Sequence, residues 1–209
     1  NLSTRLSYLL GYPHGCVEQI TSKVFPQLYL SGFASLTREQ EQSTEATVKE
    51  VICRLRSYQT VDGSFSYWPG GTAPNAWGTV YAIHFLLEAE KKGYLVPEGM
   101  KRNALNDLSR IARNWKPEAS YSAESEEMTQ AYRLFVLALG QVAEVGAMNR
   151  LKESKTLMSM SRYLLAAGYA LVGRPDVSKE LVVKTTALTT ACSGYDQTFG
   201  SDLRDTSIR

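Results

Sequence analysis

Apolar residues recur at helical spacing through almost the whole chain, and no stretch alternates apolar with polar residues over the length of a strand. Leu2, Leu6, Leu9 and Leu10 form a short helical stripe that Gly11 and Pro13 stop. Cys16 to Ala34 carries Val17, Ile20, Val24, Leu28 and Leu30, and Pro26 inside it predicts a kink or break. Thr37-Arg38-Glu39-Gln40 has the form of a capping box for a helix whose apolar face is Val48, Val51, Ile52 and Leu55 and which ends near Tyr58. Asn75 and Trp77 begin a helix with Val80, Tyr81, Ile83, His84, Leu87 and Ala89, stopping at Gly93 behind Lys91 and Lys92. Pro97 opens the next, with Met100, Ala104, Leu105, Leu108, Ile111 and Ala112 inward, ending before Pro117. Glu124 to Val145 is predicted as one long helix and Leu157 to Val172 as another, closed by Gly173. Pro175-Asp176 starts a helix running to about Thr186.

These punctuated stripes predict an all-α chain. Tyr81 to Leu87 and Tyr132 to Ala138 are both Tyr-led, densely apolar and followed by a glycine stop, which suits an inner layer of helices. Amphipathic helices paired with nearly all-apolar ones imply two concentric layers, as in a toroid or solenoid, and the tetratricopeptide pattern does not fit. The exception is Gln59 to Gly71, where turn formers alternate with Phe65, Tyr67 and Trp68. It reads as a structured loop whose aromatics are buried and clamp neighbouring helices. Phe199 to Asp205 opens a further helix that Arg209 cuts short. The start lacks both a methionine and a signal-peptide pattern, so residues 1–209 read as one helical domain, truncated, from a larger multidomain chain.

Composition narrows the function. A net charge of +2, from 23 basic and 21 acidic side chains, leaves no electrostatic footprint for nucleic acid. The longest apolar run, Leu134 to Leu139, is far shorter than the roughly 20 residues of a membrane span. The three cysteines, Cys16, Cys53 and Cys192, are odd in number and widely spaced, so they match neither a fully paired disulfide framework nor a zinc site, and no cofactor is expected.

The chemistry concentrates in Tyr12-Pro13-His14-Gly15-Cys16-Val17-Glu18-Gln19. If a helix begins at Gly15 or Cys16, the cysteine meets uncompensated backbone N–H groups and the positive end of the helix dipole, which favour a thiolate. Gln19 is three residues on, on the same face, with Cβ atoms roughly 5–6 Å apart. Attack of the Cys16 sulfur on the Gln19 carboxamide would release ammonia and leave an internal thioester. Gly15 would permit close backbone approach beside it.

Gly15-Cys16-Val17-Glu18-Gln19 resembles the Gly-Cys-x-Glu-Gln thioester motif of the α2-macroglobulin and complement family. Tyr12 to Ser22, the loop from Gln59 to Gly71 and the segment Trp77 to Glu88 are similar to the bacterial members. The resemblance implies an α/α toroid thioester domain within a larger chain that traps proteases covalently, with no turnover. It assigns Cys16 as the thiol half and Gln19 as the acyl half of the bond, and lysine amines on the protease as its attackers. It also implies a location in the cell envelope or periplasm. Tyr12 and His14 stand just before the bond, where an aromatic at Tyr12 would shield it from water, because hydrolysis competes. Some complement members use a downstream histidine to reach hydroxyls. The only histidines here are His14 and His84, so direct transfer to amines is expected.

Plainer readings stand beside these. Glu18 either orients the site or merely adds charge to the first helical turn. His14 reads as a surface loop residue rather than a general base, and His84 as a hydrogen-bonded core histidine. Cys53 reads as a small buried hydrophobe, and Phe65, Tyr67, Trp68 and Trp77 as packing rather than a ligand box. The rival functions are a non-covalent binding or structural domain with an unformed thioester, a terpenoid cyclase or prenyltransferase, and a thiol protease. The cyclase lacks clustered aspartates, and the protease lacks a recognisable partner to orient its base.

Overall fold

The computed structural model describes residues 15–117, 123–154 and 157–183. Tyr12, His14, Cys192, the Leu2 to Leu10 stripe and the Phe199 to Asp205 segment lie outside them. Among the described residues every regular element is helical. Extended pairing is confined to two isolated bridges, Gln59 with Phe65 and Ser66 with Pro74.

Helix α1, Val17–Val24, buries Val17, Ile20, Thr21 and Val24. It ends two residues before Pro26, and two 3₁₀ turns, Phe25–Leu28 and Leu30–Gly32, carry the chain onward. The break is where proline demands it, since Pro26 has no N–H to continue the helical ladder. Helix α2, Arg38–Leu55, opens with the expected capping box. The Thr37 hydroxyl accepts from the Gln40 N–H at 3.2 Å, and the Gln40 side-chain oxygen accepts from the Thr37 N–H at 2.9 Å. Its buried face is Thr44, Thr47, Val48, Val51, Ile52 and Leu55. Cys53 is exposed, contrary to expectation. It lies about 100° around the helix from Ile52, past the edge of the buried stripe.

Helix α3, Ala76–Lys91, is capped by Asn75, whose side-chain oxygen accepts from the Gly78 N–H at 2.6 Å. A Cβ added at Gly78 would lie 2.4 Å from Val17 Cγ1, so the missing side chain lets α3 seat directly against α1. Helix α1 packs on both α2 and α3.

The loop between α2 and α3 is as ordered as predicted, but its aromatics divide. Phe65 is fully buried, whereas Tyr67 is 41% and Trp68 56% exposed, so only one of the three ties the loop to the core. Hydrogen bonds supply the rest of the order. Ser66 N–H donates to the Tyr58 carbonyl at 2.8 Å, and the Gln59 amide donates to the Met100 carbonyl at 3.0 Å.

Helix α4 is Glu98–Asn114, and the chain divides within it into two compact units, Asn1–Asn106 and Asp107–Arg209. In the second unit, helices α5 (Ala123–Leu139), α6 (Val145–Lys152), α7 (Ser159–Leu171) and α8 (Pro175–Val183) follow in order, with α7 packed against α5 and α8. Leu134, Leu137, Met148, Leu165 and Tyr169 are buried there. The single helix expected from Glu124 to Val145 is corrected to α5, a turn and the start of α6. Gly140 and Gln141 close α5, with Gln141 in the left-handed region at φ 62° and the Val142 N–H donating to the Leu137 carbonyl at 2.9 Å. That is a helix-terminating arrangement, and apolar residues on both sides of it hide it from periodicity.

Candidate functional site

Cys16 is the N-cap of α1, with extended backbone angles of φ −71° and ψ 171°, and Gln19 is the third residue of the helix. The two occupy the first and last positions of a capping box, a role more often filled by Ser or Thr with Glu or Gln. The Cys16 N–H donates to Gln19 Oε1 at 3.1 Å, which folds the carboxamide back over the helix start. Gly15 makes room for it. Its φ is +120°, and a Cβ there would sit 1.9 Å from Gln19 Oε1 and 2.8 Å from Gln19 Cδ. Cys16 is buried at 1% exposure, while Gln19 faces solvent.

The first unit holds this helix start from two further directions. The hydroxyl of fully buried Tyr58 donates to the Gly15 carbonyl at 2.7 Å. The Val17 N–H, one of the donors that a helix start leaves without an intrahelical partner, donates to the Tyr67 carbonyl at 3.0 Å. Tyr67 also contributes its side chain, since its hydroxyl is hydrogen-bonded to Cys16. That bond and the electrostatic influence of Cys16, then a little desolvation and the Glu18 charge, push the phenol up to about 12. Tyr67 further meets Trp68 edge-on at 5.4 Å between ring centres.

Glu18 is half-buried beside the pair, and burial raises its carboxyl above the ordinary value. Tyr81 on α3 is raised by burial and by the Glu18 charge, against an opposing hydrogen bond with Ser22. His84 packs edge-on to Phe25 at 4.9 Å, and burial pushes it down to about 4, a poor base near neutral pH. Among the described residues no cluster of His, Cys, Asp and Glu could hold a metal ion, and no helix is long and apolar enough to cross a membrane.

Of the sequence-predicted site residues, the structure brings together Cys16, Gln19 and Glu18. Tyr58 and Tyr67 were not anticipated at the site. Their only local signal is membership of an aromatic, turn-rich segment, and nothing in it points back across some 40 to 50 residues to Cys16.

The described elements define a helical domain that presents a Cys–Gln pair at one helix start. The model of the A-macroglobulin TED domain matches residues 2–133, more than half of the sequence. The chain belongs to that family. Among its relatives, the alpha-2-macroglobulin of Escherichia coli (strain K12) is 28% identical over 220 residues, covering 100% of this chain and 13% of that protein. The alpha-2-macroglobulin of Xylella fastidiosa (strain Temecula1) is 29% identical over 181 residues, covering 80% of this chain and 11% of that protein. The chain thus spans about an eighth of the length of such relatives. Native E. coli alpha-2-macroglobulin superposes with a TM-score of 0.80 at 26% identity, over 99% of this chain and 14% of that one. Salmonella alpha-2-macroglobulin reacted with methylamine gives a TM-score of 0.83 at 26% identity, over the same shares. The fold class is therefore all-α, of the α/α toroid type shared with those TED domains.

Proposed function

We propose that this chain is the thioester-bearing part of a bacterial alpha-2-macroglobulin-like protease inhibitor. In this reading the Cys16 sulfur attacks Gln19 Cδ, the C–S bond forms, the C–N bond breaks, and ammonia leaves with the thiol proton. A lysine amine of an attacking protease later displaces the sulfur, giving an amide and a free Cys16 thiol. Each bond is used once, so the protein is a trap and not a turnover catalyst. The observation that carries the reading is the folded-back carboxamide of Gln19 over Gly15 and Cys16. It turns the acyl group back onto the Cys16 backbone, in the same helical turn as the thiol, and such proximity is what a direct acyl transfer needs.

The relatives support the partner class. E. coli alpha-2-macroglobulin has been solved in a trypsin-activated form and in a form activated by porcine elastase, and the Salmonella protein in a form reacted with methylamine. Carried to this chain, proteases are the covalent partners and small amines the surrogate nucleophiles. The remaining domains of the parent chain are its other partners. Glu18 orients the first turn, Tyr12 and His14, just ahead of the pair in sequence, would shield it from water, and the parent resides in the cell envelope or periplasm. These last assignments rest on the resemblance of Tyr12 to Ser22 to the bacterial members.

Intact mass of the freshly prepared parent protein tests the reading. The expected result is a mass lighter by one ammonia, a Cys16 thiol that appears only after methylamine, and far slower labelling by glycerol. Full mass with a free Cys16 thiol from the start would leave a non-covalent binding domain instead.

A further inference from the structure

We propose that the Tyr67 hydroxyl is the hydrogen-bond donor to the Cys16 sulfur as the thioester opens, easing its departure when an amine attacks the Gln19 carbonyl; this rests on the thioester reading above. Tyr67 is placed for that task by its backbone as well as its side chain. Its carbonyl takes the Val17 N–H at 3.0 Å, strapping residue 67 to the first turn of α1 beside Cys16. The preceding residue is fixed too, because the Ser66 hydroxyl lies 2.9 Å from the Tyr58 carbonyl and 2.6 Å from the Trp68 carbonyl. Tyr58 in turn holds Gly15. Backbone on both sides of the Cys16–Tyr67 contact is therefore anchored, and Tyr67 is 41% exposed where Cys16 is 1% exposed.

The step balances without another reactant. The amine nitrogen bonds to the carbonyl carbon, the C–S bond breaks, its electron pair moves to sulfur, and the proton lost by the attacking amine ends on the sulfur. Negative charge develops on sulfur in between, and a fixed hydroxyl donor aimed at developing charge stabilises the transition state more than the ground state. A phenol with an ordinary value of about 10 keeps its proton throughout the neutral range, so the donor is present where the reaction runs. The same donor serves any nucleophile, because the leaving group is common to aminolysis and hydrolysis.

The test is thiol release from the parent protein on adding methylamine, compared between wild type, Tyr67→Phe and Tyr67→Ala. Expected is a fall of about 10-fold to 100-fold in the release rate for Tyr67→Phe, the range for losing one hydrogen bond to a charged acceptor. The final thiol yield should be full, and spontaneous hydrolysis should slow by the same factor. If the ring serves only as a cover, Tyr67→Phe matches wild type within twofold while Tyr67→Ala hydrolyses faster, and the proposal is overturned. A reduced yield at an unchanged rate also overturns it, placing the hydroxyl in making the bond. Wild-type protein that releases no thiol would sink the thioester reading itself, a result distinct from a wild type that releases thiol and a Phe variant that matches it.

Discussion

Gly15 is the residue on which the geometry of the pair turns. At φ +120° an L side chain is strained, and the space a Cβ needs is already taken by the Gln19 carboxamide. Gly15→Ala is therefore expected to cost about 1–3 kcal/mol in backbone strain. It should also expel the carboxamide from its seat over Cys16. In intact mass spectrometry the variant should show the full mass with no ammonia lost, while circular dichroism retains the helical signal. An ammonia-deficient Gly15→Ala protein would mean that the folded-back carboxamide is not what brings the two groups together. The sequence supported this much, since a glycine before a Cys-x-x-Gln pair is a reason in itself to expect close approach. That Gln19 bonds back to the Cys16 N–H, with the cysteine taking the N-cap position, follows from where the helix starts, and helix boundaries are the part of a periodic pattern least sharply marked.

At the scale of elements, the site depends on how the loop from Gln59 to Asn75 is fastened between α2 and α3. Thr79, 2% exposed on α3, does much of this. Its hydroxyl accepts from the Phe65 N–H at 2.8 Å and donates to the Phe65 carbonyl at 3.1 Å. The carbonyl has a second donor in the Asn75 N–H at 2.8 Å, but the Phe65 N–H relies on Thr79. Thr79→Val keeps the shape and strands that one buried donor, an expected loss of about 1–3 kcal/mol, readable as a lower urea midpoint with an unchanged slope. Because residue 67 is carried by the same loop, methylamine-triggered thiol release should slow in the variant as well. A variant as stable as wild type would show that this clasp does not hold the loop. The loop was legible as ordered, but the burial of its aromatics was not. Phe65 goes in and Tyr67 and Trp68 stay out, and which ring is buried is a property of packing rather than of composition.

At the scale of the whole molecule, stability should depend on pH through His84. Its folded value of about 4 lies below the ordinary 6.5, because burial disfavours the charged ring. The neutral ring therefore contributes stability that is fully present above pH 6.5 and is lost as pH falls toward 4. Glu88, pushed up by desolvation but held below its ordinary value by hydrogen bonds from Lys91 and Tyr29, acts in the same direction at the acid end. Glu18, raised by burial, acts in the opposite one. Between pH 7 and pH 4.5 the wild type is expected to lose about 2 kcal/mol more than His84→Leu, measured by denaturant unfolding at each pH. Parallel losses in the two proteins would remove His84 as the cause.

What the sequence determined by itself is what neighbours along the chain decide. The helices, their caps at Thr37 and Asn75, the break ahead of Pro26 and the pairing of Cys16 with Gln19 all follow from residues within four positions of one another. Such interactions are present in any chain that begins to coil, so they leave a readable pattern. Only the tertiary structure decided which side of α2 Cys53 faces, and that Tyr58, 43 residues from Gly15, anchors the helix start while Tyr67 reaches the Cys16 sulfur. These depend on which surfaces meet when the helices pack, and a contact closed over a long loop leaves no spacing in the sequence to mark it.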